Sequence, residues 1–219
     1  MKIYKYLHSC LVFEKEGFKL LCDPGSFTFA EGQVTTETFG DVDAVIITHI
    51  HADHLDLPNL KKIVALSGAP VYTNSEVGVA LKKEGLAFEL MEEGVYDIGP
   101  FKIEAIPVVH EPLLDSPIPQ MTGLLIDGRI LHPADSMEDK LTTYNNLDLL
   151  ILVTMAPFAN ELRIAAFGDK VKPKQILPVH DGFAKHFFVK SRFANYKNHF
   201  AKSDINFIEV TEPGESIEL

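Results

Sequence analysis

The segment Thr48-His49-Ile50-His51-Ala52-Asp53-His54 sets three imidazoles and a carboxylate within six consecutive positions, directly behind the apolar run Ala44-Val45-Ile46-Ile47. If residues 44 to 48 form a buried strand that stays extended to 51, His49 and His51 project to one side and can share a cation. Asp53 and His54 must then serve something else. Where the chain turns toward the helical pattern beginning near Asp56-Leu57-Pro58, adjacent side chains diverge, and a second cation near the first comes within their reach. Three imidazoles and one carboxylate suit zinc or a related first-row ion better than calcium or magnesium, which prefer oxygen shells. The alternative is a polar loop that merely collects histidines, but buried histidines seldom cluster this densely without a metal.

The pattern His49-x-His51-x-Asp53-His54 is similar to the H-x-H-x-D-H signature of metallo-β-lactamase-fold hydrolases, which also follows an apolar strand. The di-iron flavoprotein branch has a glutamate where His51 stands, so the resemblance implies hydrolysis over redox chemistry. His8-Ser9-Cys10 and Asp23-Pro24 resemble the opening of the branch typified by ascorbate-6-phosphate lactonase, with Leu7 in place of a glycine. His110, after Ile106-Pro107-Val108-Val109, corresponds to the third histidine of the family pattern. His132-Pro133-Ala134-Asp135-Ser136 stands where that branch carries H-x-G-D-[ST], with Ala134 replacing the glycine. Lys172-Pro173-Lys174-Gln175-Ile176-Leu177-Pro178-Val179-His180 resembles its K-P-x-x-[VI]-[ILV]-P-x-H segment.

The resemblance implies a ligand set. His49, His51 and His110 would hold one metal, Asp53, His54 and His180 a second, with Asp135 between them. It implies two divalent ions, zinc first, with manganese or iron as alternatives, and a bridging hydroxide that attacks a small-molecule ester, lactone or phosphodiester. Asp53 and Asp135 would be the catalytic carboxylates, Asp53 orienting the water. Two other readings compete: a phosphodiesterase or nuclease using the same site, and a non-catalytic metal-binding or sensing module. Taken alone, His110 would be a structural histidine, Asp135 a helix cap and His180 a loop histidine. His8 either orders its own turn or stands behind the ligands, and His132 is a supporting donor, a proton source for the leaving group, or a satisfied strand histidine.

These residues must be positioned by the elements around them. Residues 2–7, 10–14 and 18–22 read as a meander of short strands, and Ser26 to Gly40 as a long loop overhanging the site. Leu57–Leu66 and Ser75–Lys83 have helical spacing, the second with Ser75 as its cap. Brief strands at 88–91 and 95–98 precede a stronger one from Phe101 to Val109, and the proline-rich segment 111–120 forms a stiff wall. A hairpin turns at Asp127-Gly128 between Met121–Asp127 and Arg129–His132. Asp148–Val153 and Gln175–Val179 are strands flanking a helix over Glu161–Val171. Between 184 and 202 no acid occurs; this reads as a helix with a solvated basic face and Phe187, Phe188, Phe193, Tyr196 and Phe200 buried, or else as an anion site. Short strands at 206–210 and 216–218 close the chain. Strands followed by helices in both halves fit the fold that the resemblance implies: an α+β, four-layer αββα sandwich, one domain over residues 1–219.

Composition sets the outer bounds. An apolar fraction of 46% with 23% charged residues describes a globular chain, and a formal charge of −11 argues against extended nucleic acid as a partner. A small substrate, anionic or not, remains allowed, as does a homo-oligomer. The amino terminus lacks signal-peptide character and no run is long enough for a membrane span. With only Cys10 and Cys22, read as reduced thiols, the expected location is the cytoplasm.

Overall fold

In the computed structural model, which describes residues 1–219, the chain forms β1 (Lys2–Lys5), β2 (Leu11–Lys15), β3 (Phe18–Cys22), the one-turn α1 (Ser26–Phe29), β4 (Ala44–Ile47), α2 (Leu57–Ser67), β5 (Val71–Thr73), α3 (Ser75–Lys83) and β6 (Glu89–Leu90). There follow β7 (Gly94–Ile98), β8 (Phe101–Val109), β9 (Gln120–Ile126), β10 (Ile130–His132), β11 (Leu149–Val153), α4 (Glu161–Val171), β12 (Gln175–Val179), α5 (His186–Phe200), β13 (Asn206–Phe207) and β14 (Glu215–Glu218). They make two seven-stranded sheets, ordered β14-β1-β2-β3-β4-β5-β6 and β13-β12-β11-β10-β9-β8-β7. Strand β14 crosses back to pair antiparallel with β1, so the carboxyl-terminal strand completes the first sheet.

Period-two burial fixes the layers. In β4, Ala44 and Ile46 point into the core between the sheets, while Val45 and Ile47 point outward to pack with Leu60 and Ile63 of α2 and Val77 and Leu81 of α3. In β11, Leu149, Ile151 and Val153 face the first sheet, while Leu150 and Leu152 meet Ile164 of α4 and Phe193 of α5. Both strands are apolar throughout because both of their faces are covered. The result is the α+β sandwich, helices outside and two sheets within.

Local chemistry starts and stops the helices. Asp56 caps α2 by accepting a 3.0 Å hydrogen bond from the Asn59 amide, and Gly68, at φ 71°, ends it in the left-handed conformation. Helix α3 is capped by Asn74, not Ser75: the Asn74 side chain accepts from the Val77 amide at 3.0 Å and its amide nitrogen donates to Thr48 O and Gln120 O. A preceding asparagine that also ties two strand ends together outcompetes serine for the cap. The segment 26–40 is more ordered than a loop, with α1 and a 3₁₀ turn over Thr36–Phe39 that buries Phe39.

Helix α5 buries Val189, Phe193, Tyr196 and Phe200. Phe187 and Phe188 lie off that stripe and are 72% and 43% exposed, so only part of the aromatic set reaches the core. Three of its basic side chains are answered by acids from other elements: Arg192 pairs with Glu161, Lys197 with Glu209 at 2.9 Å and His199 with Asp169 at 2.8 Å. These pairings give a solvated charged face. Cys10 and Cys22 are both buried and free.

Alanine ordinarily stabilises a helix relative to glycine by about 1 kcal/mol. At Gly168 in α4 the sign reverses, because an added Cβ falls 2.7 Å from two ring carbons of the fully buried Phe200. Gly168→Ala is expected to cost about 1–3 kcal/mol in denaturant unfolding, and combining it with Phe200→Leu should recover part of that loss.

Candidate metal centre

Strand ends converge on one rim of the sandwich. Asp23 follows β3, Thr48 and His49 follow β4, His110 follows β8, Asp135 lies three residues beyond β10, and His180 follows β12. The loop after β4 turns at once, with His54 N and Leu55 N both donating to His51 O, at 2.9 and 2.8 Å. That turn sends His51 one way and Asp53 and His54 another. Ligand-capable atoms of His49, His51 and His110 lie within 4.8 Å of one another, as do those of His8, Asp53, His54 and His180, and those of His49, His54 and Asp135. All seven residues singled out in the sequence are thereby brought together. Asp135 stands at the middle: its Oδ2 is 3.4 Å from the Nε2 atoms of His54 and His110, 3.3 Å from that of His180 and 3.9 Å from that of His49.

The imidazoles are held from behind. His110 Nδ1 donates to Glu111 O at 2.5 Å and His180 Nδ1 donates to Met155 O at 2.6 Å; a carbonyl can only accept, so each ring leaves a bare Nε2 facing the centre. His54 Nδ1 donates to Asp23 Oδ2 at 2.8 Å. The Thr48 hydroxyl donates to the same oxygen at 2.6 Å and accepts from His49 Nδ1 at 3.0 Å. One carboxylate thus orients two rings, one directly and one through a hydroxyl. The Nε2 atoms of His49, His54, His110 and His180, with Oδ1 of Asp135, are buried and make no hydrogen bond within the protein. Buried polar atoms are ordinarily paired, and five left bare around one point are what a cation's ligands would be.

Charge points the same way. Burial opposes ionisation of Asp135, yet the His180 and His54 rings beside it hold its carboxyl well below the usual range. Burial likewise opposes ionisation of Asp53, outweighed by the His180 ring, 3.3 Å away, and the hydrogen bond from His8. Burial would lower His180, but Asp135 and Asp53 push it up to about 9. The two carboxylates demand nearby positive charge, which protons or cations can supply.

His8 resolves to the supporting role. The Gly182 amide donates to its Nδ1 at 3.2 Å, so Nε2 carries the proton and donates to Asp53 Oδ2 at 3.0 Å. Burial and the neighbouring His180 lower its pKa to about 3, so the ring is neutral. His132 is buried beneath the centre beside Cys22 and Asp23, with Nδ1 accepting from the Ala134 amide; it does not line the pocket and is not placed to protonate a leaving group.

Above the centre opens a cavity of about 670 Å³ whose floor includes His51, Asp53, His110, Asp135 and His180. Its walls come from α1, the 111–120 loop and the segments before α4 and α5. Sequence reading reached the first two walls and missed Phe158 and Phe183, which no motif marks. Asp23 and Thr48 stand within sequence motifs that mark no role for them; the acid following a strand and the hydroxyl preceding His49 are the available signals.

Two facing sheets, outer helices and a histidine-aspartate cluster at one rim define the metallo-β-lactamase fold. Residues 2–180 match the model described as "Beta-lactamase superfamily domain", and the chain belongs to that superfamily, as an enzyme of its metal-dependent hydrolase class. A UPF0173 metal-dependent hydrolase of Alkaliphilus metalliredigens is 26% identical, over 97% of this chain and 98% of its own length. Another UPF0173 metal-dependent hydrolase, from Pyrococcus horikoshii, is 25% identical over 80% of this chain and 83% of its own. In three dimensions the chain is similar to Igni18, a metallo hydrolase of Ignicoccus hospitalis, with a TM-score of 0.77 at 20% identity, covering 99% of this chain and 97% of that one.

Because Asp23 and Thr48 fix the rings of His54 and His49, Asp23→Ala and Thr48→Val should each lower affinity for divalent zinc by about 10–100-fold. Competition against a chromogenic chelator measures this, and circular dichroism separates it from unfolding.

Proposed function

We propose that the chain is a single-domain binuclear hydrolase of a small-molecule ester or lactone, with a phosphodiester as the second choice of substrate. In this reading His49, His51 and His110 would hold one divalent ion, Asp53, His54 and His180 the other, and Asp135, set among these rings, would contribute to both. Zinc suits the imidazole-rich set first, manganese or iron next. The observation that carries the reading is the group of four buried Nε2 atoms, those of His49, His54, His110 and His180, that make no hydrogen bond within the protein.

When bound, such ions supply a water of lowered pKa and charge stabilisation for a developing oxyanion. The protein's own part is orientation. Asp135, 2% exposed, keeps its oxygens among the rings, and its loop is tied down by the Glu111 amide donating to Asp135 O at 3.2 Å. Asp53, held by His8 and 23% exposed, fronts the cavity, where its carboxylate orients the attacking water. In the overall reaction water's hydroxyl joins the carbonyl carbon, the C–O bond breaks, and the remaining proton goes to the leaving oxygen. No serine or cysteine nucleophile takes part. The two free, buried thiols fit a reducing compartment, so we place the enzyme in the cytoplasm. A nuclease on the same centre would have to hold a polyanion against a chain of charge −11.

Elemental analysis tests the site. Protein purified without added metal should hold about two divalent ions per chain, with Asp135→Ala and His180→Ala both reduced. Ester or lactone hydrolysis should vanish with chelator and return with zinc or manganese. A chain that holds no ion and cannot be loaded overturns the proposal.

A further inference from the structure

The cavity over the centre has two unlike parts. Its floor is imidazole and carboxylate, whereas its wall is Phe27, Leu113, Pro157, Phe158 and Phe183, with the hydroxyls of Ser26 and Ser116 beside them. No lysine or arginine lines it. The basic groups of the flanking segments line other cavities or pair with acids away from it. Arg163 pairs with Glu111 and lines a separate cavity, Lys185 and His186 line another, and Lys5 is buried against Asp181.

The aromatic wall approaches the reacting floor. The Phe158 ring stands edge-on to His110, centroids 5.2 Å apart, and to His180 at 5.7 Å. Phe183 lies 5.9 Å from His180 and Phe27 5.0 Å from His8. Phe183 nevertheless remains 50% exposed, and Leu114 and Ile118, on the loop that contributes Leu113 and Ser116, are 95% and 55% exposed. Of these only Phe183 lines the cavity, and a large apolar side chain left half open on the wall of a concave site is what an apolar ligand would cover. A phosphate or carboxylate on the non-reacting end of a substrate would instead lose its hydration with no guanidinium or ammonium to receive it.

We infer that the non-reacting part of the substrate is uncharged and apolar, an aryl or branched alkyl group packed against Phe27, Phe158 and Phe183 while the bond to be cut faces the imidazoles. This rests on the hydrolase reading above and narrows it. It separates this chain from enzymes that take phosphorylated substrates, whatever bond is hydrolysed. Roughly tenfold to a hundredfold in specificity is the scale that one such apolar group supplies.

The test compares a phenyl-substituted γ-lactone with the same ring bearing a phosphomonoester, on protein loaded with zinc or manganese, and measures binding of the two non-hydrolysable lactam counterparts by calorimetry. The phenyl compounds should be favoured by at least about tenfold in kcat/KM and in lactam affinity. Phe158→Ala and Phe183→Ala should each shrink that preference severalfold without changing metal content, and Phe183→Arg should shift it toward the phosphorylated pair. Preference for the phosphorylated lactam, or a phenyl preference untouched in all three variants, overturns the inference. If neither lactone is hydrolysed in any loaded form, the lactone reading fails, and the lactam affinities still decide the character of the wall.

Discussion

The buried carboxylate of Asp23 is the constraint on which the centre depends. It lies between β3 and β4, accepting from the Thr48 amide and hydroxyl at 2.8 and 2.6 Å and from His54 Nδ1 at 2.8 Å. Its backbone amide donates to Ile46 O, so the carboxylate is fixed by the same sheet that it serves. In a fully buried setting each unmade bond would be costly, and three made bonds turn the group into a rigid anchor. The rings of His49 and His54 inherit that rigidity. Close packing adds to it: a Cβ on Gly25 would fall 1.8 Å from Asp53 O, so the chain after Asp23 presses directly onto the metal-binding loop.

Several left-handed residues lie at the same rim. His8, Asp23, Ala134 and His180 are non-glycine residues with φ of 62°, 48°, 50° and 70°, a region that disfavours L side chains. Ala134 therefore takes a conformation that glycine would enter freely, and the sequence departure there leaves the turn able to bring Asp135 to the middle. Such strain persists only where surroundings over-determine it. Here they do: His180 N donates to His8 O, Gly182 N donates to His8 Nδ1, and the Lys5–Asp181 pair, 2.5 Å apart and buried, pins the next residue to β1. Removing either partner of that pair would leave a buried charge uncompensated.

Much of the fold was legible because its strands have both faces covered. Runs such as Ala44–Ile47 and Leu149–Val153 are uniformly apolar, and helices of the right spacing follow them. The metal motif was legible for a different reason: four ligand-capable side chains crowded into six positions have few other uses. The errors lie where tertiary partners decide. Asn74 takes the α3 cap because its side chain also bridges Thr48 and Gln120, contacts that local propensity cannot register. The segment 26–40 folds into short helical turns because Phe39 finds a pocket among Tyr6 and Phe29. Phe187 and Phe188 are exposed because they fall on other faces of the helix than the stripe of Val189, Phe193, Tyr196 and Phe200.

The two halves of the site differ in how they are encoded, and the difference follows from geometry. A cation is small, so its ligands must lie within a few ångström, and several can come from one turn; the sequence then shows a dense signature. The cavity over the centre is much larger, about 670 Å³, and its wall draws on residues 27, 113, 157, 158 and 183. Phe27 comes after β3, Leu113 after β8, Pro157 and Phe158 after β11, and Phe183 after β12. Each lies beyond the end of a strand whose connection borders the centre, so one scaffold holds both, yet no spacing rule links three phenylalanines drawn from three separate connections. Part of the centre is therefore written locally, in residues 49 to 54, whereas His110, Asp135, His180 and the cavity wall are brought in by separate connections.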